Sequence, residues 1–209
     1  MSVSQIITAP TAGCASSVVM TLARTIARTT SPYTLEEQVF KWPGEQWIIE
    51  FNLPPFKNEA VAKQWVAFGV KLQGGFNRFL MGDPSSPNPR GVATGTPVVN
   101  GAGQSGNILS TSGWTPSTNG IMRAGDYIQL GSGAGAKLHM VVTDANSNGS
   151  GVASLEIEPA LRVPPQAGSA VVVRNAKGVF RLVDNNFSWS VTPGKLYRVS
   201  FTAEEVVGA

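Results

Sequence analysis

Residues 18–28 alternate in character: Val18, Met20, Leu22 and Ile26 fall on one face, Val19, Thr21, Ala23 and Thr25 on the other. That is the period of a β-strand. Arg24 falls on the apolar face, which suits an edge strand or an interface. Residues 38–42 and 46–53 read as two further strands, with Pro43-Gly44 as the turn between them. Pro54-Pro55 ends the second, because proline cannot donate to a ladder. A different period follows. Val61, Trp65, Phe68 and Leu72 recur at helical spacing and form one apolar stripe. Asn58 is the expected N-cap, Glu59 favours the first turn and pairs with Lys63, and Gly74-Gly75 supplies the stop. This predicts a helix over 58–72 whose stripe packs on a sheet.

Extended character resumes at 76–81. From 82 to about 120 the chain is dense in Gly, Pro, Ser, Thr and Asn, broken by Val98, Val99, Ile108, Leu109 and Trp114. Short strands with long turns fit that pattern. Residues 127–130, 137–142 and 153–157 read as strands, separated by a Gly-rich turn at 131–135 and a turn at 146–151. The segment 159–165 closes the unit. Residues 171–174, 179–183, 187–191 and 196–203 alternate again, with Asn185-Asn186 and Pro193-Gly194 as hairpin-type turns. The expected fold class is mainly β. Residues 1–82 and 167–209 form a β-sandwich-like domain with one helix, and residues 83–166 form an inserted β-rich domain.

Composition agrees with a turn-rich β protein. The 209 residues are 14% charged and include 23 Gly and 14 Pro, well below the usual charged fraction. The net charge of +3 is spread without a basic run, which points to solubility before nucleic acid. The single cysteine, Cys14, allows no intramolecular disulfide. Its surroundings loosely resemble a lipoprotein cleavage site, but residues 1–5 lack the basic and apolar regions such a signal needs. No apolar run reaches the roughly 20 residues of a spanning helix, so folding in the cytoplasm is expected.

Candidate chemistry is thin. Residues 101–106 carry three glycines at dinucleotide-loop spacing, but 107–118 cannot open the helix that would hold a pyrophosphate. Residues 131–137 depart from a phosphate loop at Ala136 and Leu138. Asp144, Asn146, Asn148 and Gly149 match half a calcium loop, yet Leu155 stands where the closing acid belongs. The one histidine, His139, lies in a strand pattern and reads as structural. Glu156 and Glu158 share a strand face about 7 Å apart, a weak case for a carboxylate-pair hydrolase. No catalytic, metal or cofactor site is expected, and the chain reads as a non-enzyme. Among the tryptophans, Trp47, Trp65 and Trp189 read as core. Trp114, in the polar segment, is the candidate for a glycan or partner contact.

Several phrases together resemble a minor tail protein of tailed phages or prophages, of the distal tail protein kind at the tail tip and baseplate. They are 51–55 (FNLPP), 79–84 (FLMGDP), 101–106 (GAGQSG), Gly113-Trp114, 124–128 (AGDYI) and 158–162 (EPALR). The resemblance runs from about Trp42 onward, and order and spacing carry it. It implies a virion protein forming a homohexameric ring that joins the tail tube to the tip hub, around a channel that DNA passes without specific binding. It implies assembly in the host bacterial cytoplasm, no cofactor and no membrane insertion. The alternative is a carbohydrate-binding module contacting host-surface glycans through the insertion and Trp114.

A ring needs head-to-tail contacts that close, and free sheet edges can supply them. The strands at 18–28 and 196–203 are the expected edges. Arg24 and Arg28 are then expected to pair with Glu204 and Glu205 of a neighbour.

Overall fold

The structure is a computed structural model that describes residues 3–13 and 15–208; Cys14 lies outside the described residues. The protein is mainly β, with two sheets and a single α-helix among those residues. In chain order the elements are β1 (Ile6–Ile7), β2 (Ser17–Thr30), β3 (Glu37–Asn52), α1 (Glu59–Lys71), β4 (Arg78–Met81), β5 (Gly95–Val99), β6 (Gly106–Trp114), β7 (Tyr127–Leu130), β8 (Lys137–Val141), β9 (Ala153–Leu161), β10 (Val171–Val172), β11 (Gly178–Leu182), β12 (Trp189–Val191) and β13 (Tyr197–Glu205).

The first sheet takes strands from both ends of the chain, in the order β1-β4-β11-β13-β3-β2, with β12 also paired to β13. Alternation along β3 sends Trp47, Ile49 and Phe51 to one face, where they meet Phe79, Phe180 and Phe201. Helix α1 covers that face. The Asn58 side chain accepts the Ala60 N–H at 3.0 Å, so the cap works as its residue type dictates. Trp65, Phe68 and Leu72 point into the sheet, Phe68 edge-on to Phe79 with ring centroids 5.4 Å apart. Burying each such side chain contributes about 1.5–3 kcal/mol. Gly74, at φ +66°, turns the chain off the helix where a β-carbon would strike the Asn185 backbone.

The second sheet has the order β10-β7-β8-β9-β6-β5. Its outer strands meet again through a Val98–Ala170 bridge and the Val99 N–H to Ser169 carbonyl bond at 2.9 Å. The sheet thus closes on itself as a small barrel. Leu109, Trp114, Ile121, Met122, Ile128, Leu155 and Ile157 fill its interior. Strands of this barrel run from Gly95 to Val172. The residues 101–106 form the β5–β6 connection, in which the Gln104 amide bonds the Ser110 backbone on both its N–H and carbonyl sides. The barrel is tied to the first sheet where the Trp47 indole donates to the Leu138 carbonyl at 3.0 Å.

Three expectations are corrected. The segment 37–52 is one strand, not two joined by a turn. Arg24 pairs with Glu45 and Ile26 with Lys41, so residues 42–44 bulge opposite Thr25. A bulge needs no ladder bond from Pro43, so the proline is accommodated within the strand. Strand β13 is not an edge; β3 flanks it on one side and β11 and β12 on the other. Trp189 is 45% exposed rather than core, because β12 lies on the sheet margin with little over it.

Candidate subunit interface

Among the described residues, strand β2 is one free margin of the first sheet, β1 being the other; the second side of β2 pairs with β3 along thirteen register pairs. Near the body, Val18, Met20 and Leu22 face the core and are half-buried. Beyond Arg24 and Glu45 the hairpin leaves the body as an arm. Every residue from Arg24 to Thr30 and from Glu37 to Gly44 is exposed. The arm turns through residues 31–36, where the Ser31 hydroxyl accepts the Thr34 N–H at 3.3 Å and the Leu35 N–H bonds the Ser31 carbonyl at 3.0 Å.

The arm is anchored by a charge cluster at its base. Glu45, only 5% exposed, points to the core face as the alternation toward Trp47 dictates. Its carboxylate meets Lys41 Nζ at 2.7 Å and Arg24 Nε at 3.2 Å, and accepts the Ala160 N–H of β9 at 3.2 Å. Burial pushes this carboxyl up, but Lys41, the Ala160 N–H and Arg24 outweigh burial and hold it below its ordinary value. Arg24 also reaches Glu158 at 3.0 Å, so one guanidinium binds β3 and the barrel together.

The structure therefore gives the expected interface charges partners within the same chain. Arg24 binds Glu45 and Glu158, and Arg28 pairs with Glu37 on the facing strand. Glu205 is fully buried and meets Arg162 at 2.6 Å. It also lies opposite Phe180 inside the sheet, out of a neighbour's reach. Glu204 is half-buried and takes the Gln46 amide at 3.4 Å. Of the four, Arg24 and Arg28 lie on the free strand, while Glu204 and Glu205 lie on an interior one. Trp114 is 3% exposed, its indole donating to Thr111 Oγ1 at 2.8 Å. It is barrel core, not a surface platform, because β6 turns it inward.

Other motif residues are also engaged structurally. Asp144 binds Arg123 and the Ala124 N–H, while Asn146 accepts the Gly120 N–H, so the half calcium loop serves as turn scaffolding. His139 donates from Nδ1 to the Pro159 carbonyl at 2.7 Å, and burial pulls its pKa down. Of the carboxylate pair, Glu158 is taken by Arg24. Among the described residues, no three His, Cys, Asp or Glu side chains gather as metal ligands. No helix of those residues is long and apolar enough to cross a membrane.

A groove of about 650 Å³ lies between residues 9–13 and 15–18, α1 and the linkers to the barrel, lined by Met20, Phe51, Trp65, Met81 and Tyr127. Burial, with Asp83 nearby, pushes the Tyr127 phenol up to about 12. Its lining is mostly apolar, with Asp83 and Lys177 as the charged groups.

Sequence reasoning passed over the arm itself. Tyr33, Leu35, Val39, Phe40 and Trp42 are large, apolar and exposed. The signal was present at residues 37–42, where apolar side chains occupy both strand faces, so one face has no core to enter. Neither a family model nor a curated protein matches this sequence.

Proposed function

We propose that this chain is a structural virion protein of a phage tail tip. It forms a ring that links the tail tube to the tip or baseplate hub and surrounds the DNA channel. The observation that carries the reading is the free edge of β2, fourteen residues long and continued as an exposed arm. Such an edge presents a row of unpaired backbone groups, a liability for a lone monomer and a ready contact for an assembly. A two-stranded ribbon is at best marginally stable by itself, so an arm built this way calls for a neighbour. Head-to-tail contacts between different surfaces of identical chains close into rings. The resemblance of the sequence phrases to distal tail proteins implies the setting: a homohexamer in contact with tube and hub proteins, assembled in the bacterial cytoplasm and carrying no chemistry of its own. The glycan-binding alternative loses the residue on which it rested, since Trp114 is inside the barrel.

Light scattering over a concentration series, with hydrogen exchange on the same samples, tests this. A closed oligomer, sixfold above all, with protected β2 amides supports the ring. A strict monomer whose β2 amides exchange freely, in the presence of tail tube protein as well as alone, sinks it.

A further inference from the structure

The two faces of the arm differ. The register pairs Ala27 with Phe40 and Thr29 with Gln38 on one face, and Ile26 with Lys41, Arg28 with Val39 and Thr30 with Glu37 on the other. Trp42 follows Phe40 at strand period, and the two rings meet edge to face at 4.7 Å. One face is thus free of charge and aromatic, with Phe40 57% and Trp42 51% exposed. The opposite face carries Arg28, Glu37 and Lys41.

The far side of the same sheet offers a match. The rungs run Ile7 to Phe79, Phe79 to Phe180 and Phe180 to Glu205, and Glu204 pairs with Ile48. Strand β1 therefore borders the end of the sheet from which the arm departs, on the other edge. Among the described residues its outer margin is unpaired. Val3 and Ile6 are exposed on it, and Phe76 is exposed on the neighbouring β4 line, tied to the β1 segment by the Ser4 hydroxyl on the Phe76 carbonyl at 2.8 Å and the Gln5 N–H on Asn77 Oδ1 at 2.9 Å. Arg78 pairs with Ile6 in the β1–β4 register and the Asn77 amide donates to the Lys71 carbonyl at 2.9 Å, so both basic residues neighbour this stretch, and neither makes an ion pair among the described residues. The arm's turn carries the complementary charge: Glu36 is exposed, and among the described residues its carboxylate meets only the Thr34 hydroxyl.

We propose that the uncharged face of the arm docks on the β1 margin of a second copy, head to tail. Phe40 and Trp42 lie against Val3, Ile6 and Phe76, and Glu36 lies near Lys71 and Arg78. This deepens the ring reading and rests on it. Both partners of the contact belong to every copy, on opposite edges of one sheet, so each copy gives an arm one way and takes one the other way. Buried tryptophan is the usual energetic centre of such a contact.

A benzophenone side chain at position 40 in the full chain, irradiated in a mixture of isotope-labelled and unlabelled protein, reads the contact directly. A cross-link between molecules to residues 3–6 or 76 is expected. Links confined elsewhere, or none at high concentration, overturn the proposal. Light scattering on variants gives the second reading. Trp42→Glu and Ile6→Glu, both exposed and so leaving the fold intact by circular dichroism, each weaken self-association by roughly thirtyfold. Mixed together they form a one-to-one pair that does not grow, because each retains one intact surface. Ile6→Glu assembling like the parent, or no pair in the mixture, overturns a head-to-tail contact. A closed ring with its cross-link elsewhere removes this contact and leaves the ring reading standing. The expected cross-link within an open chain of copies does the reverse.

Discussion

Asp126 shows how much one side chain can organise here. Its carboxylate, fully buried, accepts the Arg90 N–H at 2.7 Å, the Gly91 N–H at 3.1 Å and the Arg123 N–H at 2.7 Å. Three backbone donors from two segments therefore depend on one acceptor. Asp126→Ala is expected to cost about 3 kcal/mol in urea unfolding, the scale of leaving charge-assisted bonds unmade in the interior. His139 gives the residue scale a pH dependence. Burial holds its pKa below the ordinary 6.5, with Lys137 and Arg162 acting the same way and the Pro159 carbonyl and Glu205 opposing. Above pH 6.5 the ring is neutral whether the chain is folded or not. As pH falls from there toward the depressed folded value, the unfolded chain takes a proton that the folded chain refuses. Stability is therefore fully present above about 6.5 and declines below it, by at most about 1.4 kcal/mol per pH unit. Urea midpoints between pH 7 and 5 should fall in the parent and flatten in His139→Gln. An equal slope in both would assign the effect to other groups.

Among the elements, the arm and the body are separable. From Arg24 to Thr30 and from Glu37 to Gly44 every residue is exposed, so the arm adds little to the core. Replacing residues 25–44 by Asn-Gly lets Arg24 and Glu45, already a register pair, flank a two-residue hairpin turn. Glu45 loses Lys41 but keeps Arg24 and the Ala160 N–H, so the shortened chain should unfold about 1–2 kcal/mol below the parent while losing self-association in light scattering. A large loss of stability would show that the arm folds back on its own body. What could be foreseen at this scale follows from how local the cause is. The helix was legible from Asn58 to Leu72, because cap and stripe act within a few residues. Pro43-Gly44 misled, because a turn and a bulge use the same residues. What decides between them is the pairing of Arg24 with Glu45 across the strands. Likewise, the interior place of β13 depends on sheet order, which leaves no mark on the alternation of 196–203. Arg24 on an apolar face correctly marked an edge strand, but its partners Glu45 and Glu158 could not be read from spacing.

At the scale of the whole molecule, two cores are joined by side-by-side chain crossings and by contacts of Arg24, Glu45 and Trp47 with the barrel. The Asn175 N–H bonds the Pro87 carbonyl at 2.6 Å, so the chain enters and leaves the barrel at one point. Barrel residues from Ala93 to Val171 form their own apolar cluster. Tyr127 and Leu138, by contrast, belong to the core of the first sheet, where the Trp47 ring lies 6.1 Å from that of Tyr127. The dependence between the two units should therefore run one way. A fragment of residues 87–175 retains its closed sheet, its interior and the Asp126 bonds; it loses the cover over Tyr127 and Leu138 and the partners of Glu158, Ala160 and Arg162, groups that water can then reach. It should unfold cooperatively in urea by itself. The complementary chain, with Ser86 joined to Ala176 through a short glycine linker, loses Leu138 and Tyr127 from its core. It also loses the Ala160 N–H from Glu45 and Arg162 from Glu205, leaving the buried Glu205 carboxylate without its cation. A buried charge stripped of its partner costs about 3–5 kcal/mol, so this chain should be the weaker of the two and regain stability when the barrel fragment is added. If the barrel fragment shows no cooperative transition while the complementary chain does, the dependence runs the other way, and the barrel is held in shape by the sheet beneath it.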